Sequence, residues 1–78
     1  MKYPDGINRE AVLIQMIKVG IKTNADLAKK ANLSRNTVYN FFAGKTPTYN
    51  TIQAIVKACE MPAEMASDIF LPTNFRNK

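Results

Sequence analysis

The sequence predicts an all-α chain of five short helices. Three observations carry that prediction. No stretch sustains the alternating polar and apolar rhythm of a half-buried strand. Apolar residues recur instead at helical spacing. Residues that start helices (Asn8, Thr23, Ser34) and residues that stop them (Gly20, Asn32, Gly44) bracket the apolar segments in the right order. At 78 residues the chain is one domain at most, with a small core. The expected organisation is a single domain over 1–78, folded from about 8 to 70, with 71–78 as a tail.

Residues 1 to 7 read as a loose lead-in with a turn at "PDG". Asn8 can cap a first helix that runs to about Val19 and stops at Gly20. Its apolar residues, Ala11, Val12, Ile14, Met16, Ile17 and Val19 with Leu13 beside them, cover most of its surface, so packing by several neighbours is expected. In "TNADLAKKAN", Thr23 and Asp26 make a capping box with Asp in the acidic place. Leu27, Ala28 and Ala31 form the inner face, and Lys29 and Lys30 point out. Asn32 stands where the chain turns, because Asn tolerates the left-handed conformation. Leu33 plugs the corner and Ser34 caps the next helix, from Arg35 to Ala43. Thr48 or Asn50 opens a fourth helix to about Cys59, with Ile52, Ile55 and Val56 inward. Pro62 suits the first position of a fifth, which ends near Phe70 with Pro72 closing it. "TNFRNK" reads as a mobile tail.

Composition narrows the function. One cysteine, Cys59, excludes an internal disulfide and reads as a small core residue in a reduced compartment. With no histidine there is no credible zinc site, and no cofactor is expected. No apolar run approaches the roughly 20 residues of a membrane helix, and "MKYPDGINRE" is not a signal peptide, so a cytosolic protein is expected. The net charge of +5 is unevenly spread. Lys18 to Lys57 holds seven bases and one acid, whereas Ala58 to Phe75 holds Glu60, Glu64 and Asp68 and no base. A basic middle suits a phosphate-rich partner, and charge alone equally suits a solvated surface.

The 35–43 helix is the informative one. With Arg35 at zero on a helical wheel, Tyr39, Asn36 and Asn40 fall at about 40°, 100° and 140°, and Ala43 lies among them. Val38, Phe41 and Phe42 fall near 300°, 240° and 340°. The helix therefore has a dry face and a polar face with only one full charge. A face meant merely to be wet more often uses Glu and Lys.

Two short helices joined by a tight turn, with small Ala28 inside the first, make helix-turn-helix geometry. The stretch "ADLAKKANLSRNTVYNFFAGKTPTYNTIQAIVKAC" resembles the lambda-repressor-like class of phage and bacterial regulators, which includes Cro proteins. The matching features are Leu27-Ala28, Leu33-Ser34, Thr37-Val38 and Gly44-Lys45, followed by a proline loop and another amphipathic helix, over roughly residues 8 to 70. Asn32 departs from the glycine common at that turn.

The resemblance implies a compact five-helix DNA-binding domain whose 35–43 helix enters the major groove of double-stranded DNA. It implies base contacts from Arg35, Asn36, Tyr39 and Asn40 and phosphate contacts from Asn24, Ser34, Thr37 and Lys45. Bland readings stand beside these: a phosphate or solvent contact for Arg35, local capping for Asn36, solvent for Asn40, and covering Phe42 for Tyr39. Lys22, Lys29 and Lys30 can add long-range attraction, although solubility alone explains the last two. Met65, Ile69 and Phe70 are either core or part of a dimer surface, since the family often works as two-fold dimers.

The leading expectation is a Cro-like repressor, a stand-alone regulator of the bacterial cytosol and nucleoid that takes an operator and no small-molecule ligand. The alternative is a protein-interaction module or antitoxin-type partner that keeps the fold. An enzyme is disfavoured: Ser34 has no histidine to activate it, and "AGKT" lacks the first glycine and the strand of a phosphate loop.

Overall fold

The computed structural model describes residues 6–70. The expected tail at 71–78 and the first part of the lead-in lie outside them. Five helices follow one another: α1 (Arg9–Lys18), α2 (Asn24–Ala31), α3 (Arg35–Phe42), α4 (Tyr49–Ala58) and α5 (Ala63–Phe70). The described residues contain no strand.

The helix starts are side-chain caps. Asn8 accepts from the Ala11 N–H at 3.1 Å, Thr23 from Asp26 at 3.0 Å, Ser34 from Thr37 at 3.0 Å and Thr48 from Thr51 at 3.2 Å. Each supplies an acceptor to a helix-start N–H that has no partner within the helix, an effect of about 1 kcal/mol. Thr48 rather than Asn50 thus opens α4. Pro62 stands just before α5, not inside it, and its carbonyl accepts from the Ala66 N–H at 2.9 Å.

The first four helices also end alike. An N–H two or three residues beyond each helix reaches back five residues: Ile21 to Met16, Leu33 to Ala28, Lys45 to Asn40 and Met61 to Val56, all at 2.8–3.0 Å. The residue before each of these donors has positive φ: Gly20 (86°), Asn32 (59°), Gly44 (109°) and Glu60 (54°). This double reach-back satisfies carbonyls that the helix leaves open. Asn32 takes the left-handed turn as its residue type predicts. Glu60 does so without that predisposition.

The core gathers Val12 and Met16 of α1, Leu27 and Ala28 of α2, Val38 and Phe41 of α3, Ile55 and Ala58 of α4, and Ile69 and Phe70 of α5, with Ile7, Ile21, Cys59 and Met61 between helices. Burying an aliphatic or aromatic side chain of this size contributes about 1.5–3 kcal/mol. Ile52 and Val56, expected inward, are half-buried. The Phe41 ring meets Phe42 edge-on at 4.9 Å and lies 6.1 Å from Phe70. The Asn8 N–H donates to the Ile69 carbonyl at 3.0 Å, which ties the start of α1 to α5.

Two expectations need correction. α1 is not packed all round: Leu13, Ile14 and Ile17 are 42%, 57% and 71% exposed. Its buried face holds Arg9, Val12, Gln15 and Met16, because polar Arg9 and Gln15 find backbone carbonyls inside. The surface expected from Met65, Ile69 and Phe70 is also not formed by these side chains. Ile69 and Phe70 are 5% and 6% exposed, having been drawn into the core against α1 and Phe41, and Met65 is half-buried.

Candidate nucleic-acid interface

The site is built on α2 and α3, which pack directly on each other. Ala28 is buried on the inner face of α2, where its methyl group takes little room. The turn through Asn32, Leu33 and Ser34 reverses the chain between the two helices. Val38 and Phe41 are fully buried on the inner side of α3 and fix its rotation about its axis.

That rotation leaves the other face outward. Arg35, Asn36 and Tyr39 are exposed, and Thr37 and Asn40 are half-buried at its edge. Tyr39 stands 65% exposed, and the Phe42 ring meets Phe41 edge-on. Arg35 carries the only formal charge on the helix.

The groups expected at phosphates fall on α3 and on the segments joined to it in sequence. Asn24 is exposed at the first position of α2. There, helix N–H groups and the helix dipole favour an anion. Ser34 is exposed, with its oxygen 2.8 Å from the Thr37 hydroxyl, so the two hydroxyls form one small polar cluster. Lys45 is exposed just past Gly44. A concavity of about 250 Å³ opens between the end of α3 and the start of α4, lined by Thr37, Asn40, Lys45, Thr46, Thr48 and Thr51 over Phe41 and Pro47. Of the flanking lysines, Lys30 sits 3.5 Å from Glu60, which spends part of its charge within the protein.

One residue of consequence escapes the sequence pattern. Arg9 is 2% exposed, although it carries a full charge. Its Nε donates to the Phe41 carbonyl, its Nη2 donates to the Lys45 carbonyl at 2.9 Å, and its guanidinium lies 4.8 Å from the Phe41 ring centroid. A cation here meets the negative end of the α3 dipole and the face of an aromatic ring. Arg9 therefore fixes both the end of α3 and the loop that carries Lys45. The spacing Arg9, Val12, Met16 puts it on the buried face of α1, which is the signal that could have found it.

A helix-turn-helix family model matches residues 20–64, more than half of the chain. The chain belongs to the lambda-repressor-like helix-turn-helix family. The match spans α2, α3 and α4 entire, so the helix pair with the exposed amide face is the motif itself. Helix-turn-helix domains of this family are DNA-binding regulators. Neither a curated protein nor a solved structure matches the chain. Among the described residues no helix is long and apolar enough to cross a membrane, and no three His, Cys, Asp or Glu side chains are grouped to hold a metal ion.

Proposed function

We propose that this helix-turn-helix protein is a sequence-specific repressor of the Cro type, which lays α3 in the major groove of an operator and occludes a promoter. The observation that carries the reading is the outward face of α3, where one cation, two amides and a phenol stand on a helix whose opposite side is locked into the core. Arg35 suits guanine, and Asn36 and Asn40 suit adenine, because their paired donors and acceptors fit those base edges. Each good pair is worth about 1–3 kcal/mol of discrimination. Tyr39 lies beside them as a surface for a sugar or a thymine methyl. Asn24, Ser34, Thr37 and Lys45 hold the backbone and set register, which carries no sequence information by itself. A two-fold dimer then reads half-sites about one helical turn apart.

Selection of bound duplexes from a random library at near-physiological salt tests this. A two-fold symmetric motif is the expected outcome. A single half-site keeps base reading and removes the dimer. No enrichment, with binding lost at modest salt, sinks the proposal in favour of the protein-interaction reading. Arg35→Ala and Asn36→Ala are expected to relax preference at one position of the motif while the fold persists. An equal loss on every sequence would contradict base reading.

A further inference from the structure

We propose that the outward face of α1 is where two copies of this chain associate, with the α1 helices antiparallel and Ile14 near the two-fold axis. This rests on the dimeric part of the reading above and moves its centre from Met65, Ile69 and Phe70 to α1, with Met65 and Ile69 at the margin of the contact.

The starting observation is the aliphatic ridge of Leu13, Ile14 and Ile17 on one helix, 42%, 57% and 71% exposed. Beside it runs a groove of about 450 Å³ between α1 and α5, with Ala11, Met65 and Ile69 among its lining, Lys18 on the α1 side, and Glu64 and Asp68 on the α5 side. Ridge and groove share Ile14. The groove shares no lining residue with the concavity beside α3, so covering it leaves the proposed DNA face open.

Charge and shape together select a second copy as the occupant. Glu10 and Lys18 stand four residues before and four residues after Ile14. On an α-helix each is then about 6 Å along the axis and about 40° around it, in opposite senses. A two-fold axis through Ile14 carries each Glu10 onto the Lys18 of the second copy, which makes two opposite-charge pairs from one helix face. Both side chains are exposed, and neither has an ion-pair partner among the described residues. The same operation sets Ile17, three residues after Ile14, over Ala11, three residues before it. The most exposed aliphatic side chain thus meets the methyl group that leaves it room. An isologous contact needs self-complementarity of this kind. With +5 on each copy, the general field is repulsive, so association depends on this local pairing.

Sedimentation of the full chain without DNA tests the assignment. Wild type is expected to form a concentration-dependent dimer. Glu10→Lys and Lys18→Glu are each expected to weaken it at least tenfold, and the double charge exchange to restore it to within about threefold, a ratio set by pairing rather than by fold. Far-ultraviolet circular dichroism of each variant checks that the helices remain. A wild type that stays monomeric, or a dimer indifferent to single exchanges and double exchange alike, overturns the proposal, as does a dimer lost in the singles and not regained in the double. Half-site preference of the monomeric variants is scored separately. If it survives, the failure lies with the dimer surface and not with base reading.

Discussion

Arg9 and Lys45 are both basic, and burial separates their roles. Lys45 is exposed on the loop after α3, whereas Arg9 spends its charge on the backbone of that loop from beneath. Lys45→Ala is therefore expected to weaken binding to all sequences alike and to flatten the dependence of log affinity on log salt by about 0.9. Arg9→Met takes this donor from the Lys45 carbonyl and from the Phe41 carbonyl, which keeps the Gly44 N–H at 3.2 Å, and a lost hydrogen bond to a charged group costs about 1.5–3 kcal/mol. A loss of roughly 2–4 kcal/mol in urea unfolding is the expected result. A change under 1 kcal/mol would mean that the carbonyls find other donors. Locally, the polar face of α3 was legible because every residue on it belongs to one short helix. The partners of Arg9 lie 32 and 36 positions away, and no local pattern reports such a distance.

At the scale of the elements, the four recurring helix ends divide by how well their residue suits positive φ. Gly20 and Gly44 suit it freely, Asn32 adequately and Glu60 poorly. A left-handed backbone costs an ordinary L-residue about 1–2 kcal/mol, while the exposed Glu60–Lys30 pair returns under about 1 kcal/mol. Backbone strain wins, and Glu60→Gly is expected to raise stability by about 0.5–1 kcal/mol, measured as a higher urea midpoint at unchanged slope. The starts of the helices were readable because Asn8, Thr23, Ser34 and Thr48 cap through bonds only three residues long. The end at Glu60 was not, since nothing in glutamate signals a reversal. Nor did the run Leu13, Ile14, Ile17 reveal which side of α1 faces water. Apolar residues nearly all round a helix do not distinguish burial on every side from one side held for something else.

In the molecule as a whole, Cys59 records how closed the interior is. It is fully buried at the end of α4, and Gln15 of α1 donates to its carbonyl at 3.0 Å. Burial pushes the thiol from 9.0 up to about 11, against a smaller opposing pull from Lys30. The folded protein therefore holds the thiol proton more tightly than the unfolded chain. The stabilisation linked to that proton is complete below about pH 9 and is lost as pH rises through 11. Stability curves of wild type and Cys59→Ala are expected to run parallel up to pH 9 and to converge above it, which isolates the contribution of the thiol. Below pH 9 the native thiol is expected to resist alkylation until the protein opens. The expectation that Cys59 is a core residue came from its type. The height of its pKa depends on burial by residues distant in sequence, which no single segment displays.

The Arg9 contact also separates recognition from autonomy. The segment that matches the family begins at residue 20, yet the guanidinium that holds the end of its α3 helix comes from residue 9. Residues 20–64 cut out and grafted onto another scaffold would carry the amide face and the turn, but not the donor beneath Lys45 or the rings and aliphatic chains of Ile69, Phe70, Val12 and Met16 that close the interior. What is transferable between proteins here is a shape of contact with DNA. What makes that shape rigid is supplied privately by the flanks.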